Sequence, residues 1–176
     1  MRKLTVLLVA LGLCALPAVA LGAFRTGTWK VTGKVSHVTT EKDRTVRFTA
    51  FVARGTCKVA DGVDANGQPK SRKVKGTCLS FRGKSSYESI CTLSNGRTIP
   101  QSVVPPSGYL VSKTGTYAVT EKTDSENVGA KSRSTHTVSI TMRGSNGSGN
   151  VRYRSSDASV GGVVNCVGDV KITMKR

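Results

Sequence analysis

The chain has 176 residues, 27 of them Lys or Arg against 10 Asp or Glu, for a formal net charge of +17. So few acids leave general acid/base chemistry poorly supplied, and 5% aromatics exclude the base-stacking platform of an RNA-reading domain. Beyond a short apolar leader, no stretch approaches the roughly 20 apolar residues a membrane-spanning helix needs.

The leader is "MRKLTVLLVALGLCALPAVALGA". Arg2 and Lys3 precede an apolar run and the small-residue site Ala18-Val19-Ala20, which predicts a cleaved signal peptide over residues 1–22 and a secreted or periplasmic protein. Leu13 stands where lipoprotein processing at Cys14 would need a small residue, so no lipid anchor is expected. Residues 23–176 are then long enough for a single domain with its own core.

Past the leader, Thr, Val, Ser and Gly dominate and helix formers are sparse. "RTGTWKVTGKV" (Arg25 to Val35) alternates Trp29, Val31, Gly33 and Val35 against Thr28, Lys30, Thr32 and Lys34. Similar alternation follows at Val46, Phe48, Ala50 and Val52, at Val138, Ile140 and Met142, and from Val164 to Met174. A period of two with one apolar face predicts half-buried antiparallel strands. The expected fold is all-β: one antiparallel domain of about eight strands, a β-barrel or β-sandwich.

Turn chemistry divides the strands. Ala60–Ser71 reads as a loop, and its Asp61–Gly67 stretch lacks the ligand spacing of an EF-hand. Phe81–Tyr87 and Arg143–Asn150 read as hairpin turns, the second carrying the sequon Asn146-Gly147-Ser148. Residues 94–112 hold three prolines and read as a crossing linker. On either side lie half-repeats, 25–93 and 113–176. "KTGTYAVTEKT" (Lys113 to Thr123) echoes the opening phrase, with charged loops at Thr40–Arg44 and Lys122–Lys131. Arg54-Gly55 recurs as Arg143-Gly144, and Cys78 and Cys166 share the offset of the phrases; an internal duplication would explain all of this.

Cys57, Cys78, Cys91 and Cys166 lack zinc-site spacing, and an even count in an exported chain implies two disulfides. Cys57–Cys78 with Cys91–Cys166 is slightly preferred; Cys78–Cys91 with Cys57–Cys166 is the alternative.

Gly27-Thr28-Trp29 resembles the Gly-x-Trp start of the first strand in lipocalin and fatty-acid-binding barrels, over about ten residues. The resemblance implies an apolar ligand inside a barrel, with Trp29 closing one end beneath Lys171 or Arg176 of the last strand. The echo Gly115-Thr116-Tyr117 more simply marks a strand start, so no family is assigned.

His37 and His136 fall in phase with apolar strand faces and read as core-rim residues. Nothing completes a catalytic constellation, so no enzyme, metal or cofactor is expected. The chemistry that stands out is basic. "KSRKVK" carries Lys70, Arg72, Lys73 and Lys75; Lys30 and Lys34 flank Thr32; Arg152 and Arg154 oppose Val151 and Tyr153. Further outward charge comes from Lys171, Lys175 and Arg176. Alternation sends such charges to the outside of a sheet, where they suit an anionic polymer, a phosphorylated glycolipid or an acidic protein, without sequence-specific nucleic-acid reading. A non-enzymatic binding protein is the expected function, with a small apolar-ligand carrier as the alternative.

Overall fold

The computed structural model describes residues 24–40, 44–127, 129–159 and 162–176, so the expected leader lies outside the described residues. Ten strands follow in order: β1 (Gly27–Val35), β2 (Thr45–Val63), β3 (Pro69–Arg82), β4 (Tyr87–Thr92), β5 (Thr98–Val103), β6 (Tyr109–Val111), β7 (Thr116–Asn127), β8 (Ala130–Arg143), β9 (Asn146–Ser159) and β10 (Gly162–Lys175). The fold is all-β and, apart from one parallel bridge between Lys58 and Tyr109, antiparallel.

Neighbouring strands run β1–β2–β3–β6–β7–β8–β9–β10, and β10 pairs back onto β1. Eight strands therefore form a closed ring, and closure removes the free sheet edges an open sheet would leave. One edge of β10 is shared end to end. Val170–Lys175 pair with β1, whereas Asn165–Val167 pair with β4, which carries β5 beyond it.

The alternating apolar positions meet inside the ring. Trp29, Ala50, Val52, Leu79, Tyr117, Val138, Ile140, Met142 and Ile172 have no exposed surface. Trp29 donates from Nε1 to the Arg25 carbonyl at 3.1 Å, which satisfies its one polar atom. Close packing also explains Gly149, where a Cβ would lie 2.0 Å from the Ser139 carbonyl oxygen. Gly33 is similar: a Cβ would meet Val170 Cγ1 at 2.6 Å.

Several connections differ from the sequence expectation. The expected linker 94–112 contains β5 and β6. Pro100 fits because β5 pairs only with β4, so its missing N–H faces no neighbour. Phe81–Tyr87 is a crossing and not a hairpin, since β4 leaves β3 and docks on β10. The loop expected at Ala60–Ser71 shrinks to a turn at 64–68, where Asp64 Oδ1 accepts from the amides of Asn66 (2.8 Å) and Gln68 (2.9 Å). The charged loop expected at Lys122–Lys131 is mostly strand, its charges paired across the ladder as Asp124–Arg133 (3.3 Å) and Glu126–Lys131 (3.0 Å). The hairpin at Arg143–Asn150 forms as expected, with Gly144 at φ +55°.

The echoed phrase begins a strand both times, β1 and β7. The other coincidences fall on unlike places. Arg54-Gly55 lies inside β2 while Gly144 is in a turn, and Cys78 is on the third strand while Cys166 is on the last.

The disulfides are Cys57–Cys78 and Cys91–Cys166, the preferred pairing. The first staples the β2–β3 hairpin. The second joins residues directly opposed in the β4–β10 register and fastens β4 to the ring.

Candidate anion-binding face

Closure of the ring sets the register of the first strand against the last. Lys30 lies opposite Lys175 and Lys34 opposite Lys171, with Thr32 opposite Thr173 between them. All four lysines are exposed. Their phase is fixed by the interior: Trp29, Val31 and Val35 point inward on β1, as Val170, Ile172 and Met174 do on β10. The intervening residues must face out.

Like charges directly opposed across a ladder destabilise a sheet, and here two such pairs lie four residues apart, about 13 Å along the strand. Among the described residues no carboxylate comes within ion-pair distance of any of the four. Lys34 Nζ donates to Thr45 Oγ1 at 2.8 Å. The same outer rows continue through Arg47 and Thr49 on β2, Asn146, Ser148 and Asn150 on β9, and Ser139, Thr141 and Arg143 on β8. Arg25 and Arg176 border the upper end, because their amides donate to Gly144 and Ser145 at the β8–β9 turn. The result is a face of cations, hydroxyls and amides.

Several acids among the described residues are engaged elsewhere. Glu88 accepts from the Thr39 amide at 2.7 Å, Glu121 from the Tyr109 hydroxyl, and Asp157 from the Ser132 hydroxyl. Asp169, on β10 below Lys171, is held by Arg154 (2.6 Å) and Arg152 (3.3 Å), with His37 at 3.6 Å. That cluster keeps a positive balance next to the lysine face.

The eight basic residues singled out by sequence thus divide. Lys30 and Lys34 form half of the face. Arg152 and Arg154 point outward but are committed to Asp169. Lys70, Arg72, Lys73 and Lys75 lie along β3 on the hairpin arm, split between its two sides: Arg72 opposes Val59, whereas Lys73 opposes Lys58 and Lys75 opposes Thr56. Lys58 is partly compensated there, its ammonium 5.8 Å from the Tyr109 ring centroid. Sequence reading did not single out Arg47 or Arg143; the register shows that Arg143 extends the row of Lys30 and Lys175, and Arg47 the row of Thr32 and Thr173. The signal available was the placement of alternate Lys at both chain ends, where barrel closure pairs first and last strands.

The histidines do not converge. His37 is outside beside Asp169, and His136 is buried, its Nε2 2.9 Å from the Tyr87 hydroxyl and its ring between Tyr87 and Tyr153. Burial lowers the His136 pKa from 6.5 to about 4 and pushes the Tyr87 phenol above its usual value. No group of three or more His, Cys, Asp or Glu side chains suited to a metal occurs among the described residues. Arg176 lays its guanidinium against Gly27, where a Cβ would lie 3.2 Å from Nε.

Lys175→Glu tests the cost of the opposed charges. Placing a carboxylate across from Lys30 is expected to stabilise the protein by about 0.5 kcal/mol in low salt, an advantage that fades as salt is added. Denaturant titration at two ionic strengths measures it.

No family model, no curated protein and no solved structure matches the chain.

Proposed function

We propose that this is a secreted or periplasmic, non-enzymatic binding protein whose basic β1–β10 face engages an anionic envelope or extracellular partner. The observation that carries the reading is the pair of uncompensated lysine oppositions, Lys30–Lys175 and Lys34–Lys171. A ladder that keeps them gives up stability, and a bound anion would restore it by bridging the two strands. Two disulfides suit an oxidising compartment. Carriage of an apolar ligand has less support, because Trp29 and the positions facing it fill the interior with side chains.

Retention on an anionic resin and on anionic vesicles, read across a salt gradient, tests the proposal. The quadruple variant Lys30→Gln, Lys34→Gln, Lys171→Gln, Lys175→Gln is expected to elute at clearly lower salt than the parent. A variant with Gln at Lys70, Arg72, Lys73 and Lys75 loses the same charge and is expected to shift much less. Equal shifts would mean that net charge alone drives capture, and salt-independent retention would refute an electrostatic face.

A further inference from the structure

Resting on that reading, we infer that the β1–β10 face is a track for an acidic polysaccharide, with sugar hydroxyls over its threonine row and acid groups on the lysine rows at either side. Three observations choose this ligand among polyanions.

The first is what separates the charges. Thr32, Thr173, Ser148, Thr141 and Thr116 follow one another in register across β1, β10, β9, β8 and β7. At about 4.8 Å per strand, this hydroxyl row spans about 19 Å around the wall. Thr32, Ser148 and Thr141 make no side-chain hydrogen bond among the described residues, and Thr173 Oγ1 reaches only the Thr32 carbonyl at 3.4 Å. Unengaged hydroxyls on a rigid sheet offer both donors and acceptors, which is what sugar hydroxyls need and what phosphate or carboxylate oxygens use only in part.

The second is the charge layout. The upper row carries Arg82, Lys30, Lys175 and Arg143 with Thr49 and Asn146 interposed, the lower row carries Lys34 and Lys171 beside Thr45 and Asn150, and Arg47 on β2 ends the hydroxyl row beside Thr32. Cations interrupted by neutral polar side chains match a chain that carries sugar hydroxyls between its acid groups. A DNA backbone presents phosphates with no sugar hydroxyls between them.

The third is what the face lacks. Among the described residues the exposed large apolar ones are Val63 at the tip of the β2–β3 hairpin, Ile99 and Val104 on or beside β5, and Val163 at the start of β10. None belongs to these rows. A membrane-binding surface combines its cations with apolar side chains that enter the acyl boundary. No exposed aromatic ring lies in the rows to stack a base, and the Phe51 ring beside the upper row is covered by the Arg82 guanidinium at 4.2 Å.

The test uses the mature full-length protein and three probes: oligogalacturonates of increasing length, single-stranded oligodeoxynucleotides of equal total charge, and vesicles containing an anionic phospholipid. Affinity is measured at fixed ionic strength. The oligogalacturonates are expected to bind at least tenfold more tightly than the other two, with affinity rising with length until the track is filled. Thr32→Val with Thr173→Val keeps shape and charge. It is expected to weaken oligogalacturonate binding about tenfold, the scale of one or two net hydrogen bonds, while leaving oligonucleotide binding unchanged. Thermal unfolding of the double variant verifies that the sheet is intact. Equal affinity for oligonucleotide or vesicle, or an unchanged oligogalacturonate affinity in the double variant, would overturn the polysaccharide assignment while leaving a general anion-binding face standing. Absence of binding to all three probes would remove both.

Discussion

Replacing Cys91 and Cys166 by serine is expected to remove about 4 kcal/mol of stability, the largest effect of any change not made in the barrel interior. The two cysteines are 75 residues apart, so the crosslink closes a long loop in the unfolded chain. In the chain-entropy account a loop of that length is worth about 4 kcal/mol, against about 3 for the loop closed by Cys57–Cys78, whose cysteines are 21 apart. Position adds to length. β4 meets β10 over only Asn165–Val167, and its other edge holds β5. Without the disulfide, β4 keeps a short ladder and the packing of Tyr87 over His136. Equilibrium denaturation of both serine double variants, alongside the reduced parent, checks the ordering. A smaller loss for Cys91/Cys166 than for Cys57/Cys78 would show that β4 is held mainly by packing.

The strands that could be read from sequence are those whose two faces differ most. Val138, Ile140 and Met142 alternate with Thr and Ser because β8 has one dry and one wet side, and that contrast is local. Neighbour relations are not local. Nothing near Phe81–Tyr87 signals that the chain leaves β3 for β10, because the contacts that draw it there involve Cys166 and His136, far along the chain. The candidate face shows the same division. Lys30 and Lys34 could be seen facing outward from the period of β1 alone. Their opposition to Lys175 and Lys171 depends on ring closure, which no segment of sequence encodes by itself. Arg152 and Arg154 illustrate the converse: alternation placed them outside correctly, but their partner, Asp169, is supplied by the next strand. Outward direction was legible, and electrostatic commitment was not.

Acid is expected to destabilise this protein through His136 as the pH falls from 6.5 toward 4. The imidazole lies under β4, hydrogen-bonded to the Tyr87 hydroxyl and packed against Tyr87 and Tyr153. Glu121 faces it across the β7–β8 ladder, but that carboxylate accepts the Tyr109 hydroxyl. Burial makes the charged imidazolium costly, so the folded-state pKa falls to about 4 from the 6.5 of an unhindered histidine. Between those values the unfolded chain binds a proton that the folded chain does not. Stability from this group is therefore complete above pH 6.5, declines as the pH falls toward 4, and changes no further below it. The gap corresponds to about 3 kcal/mol. The decline in the parent curve has to be assigned to the imidazole rather than to the rest of the molecule. His136→Gln separates the two: a glutamine can still hydrogen-bond the Tyr87 hydroxyl, yet it does not titrate. Its stability between pH 7 and 4 is expected to fall by about 3 kcal/mol less than the parent's. Parallel curves for the two proteins would mean that the imidazole charges without leaving its site, and that β4 tolerates a cation beneath Tyr87.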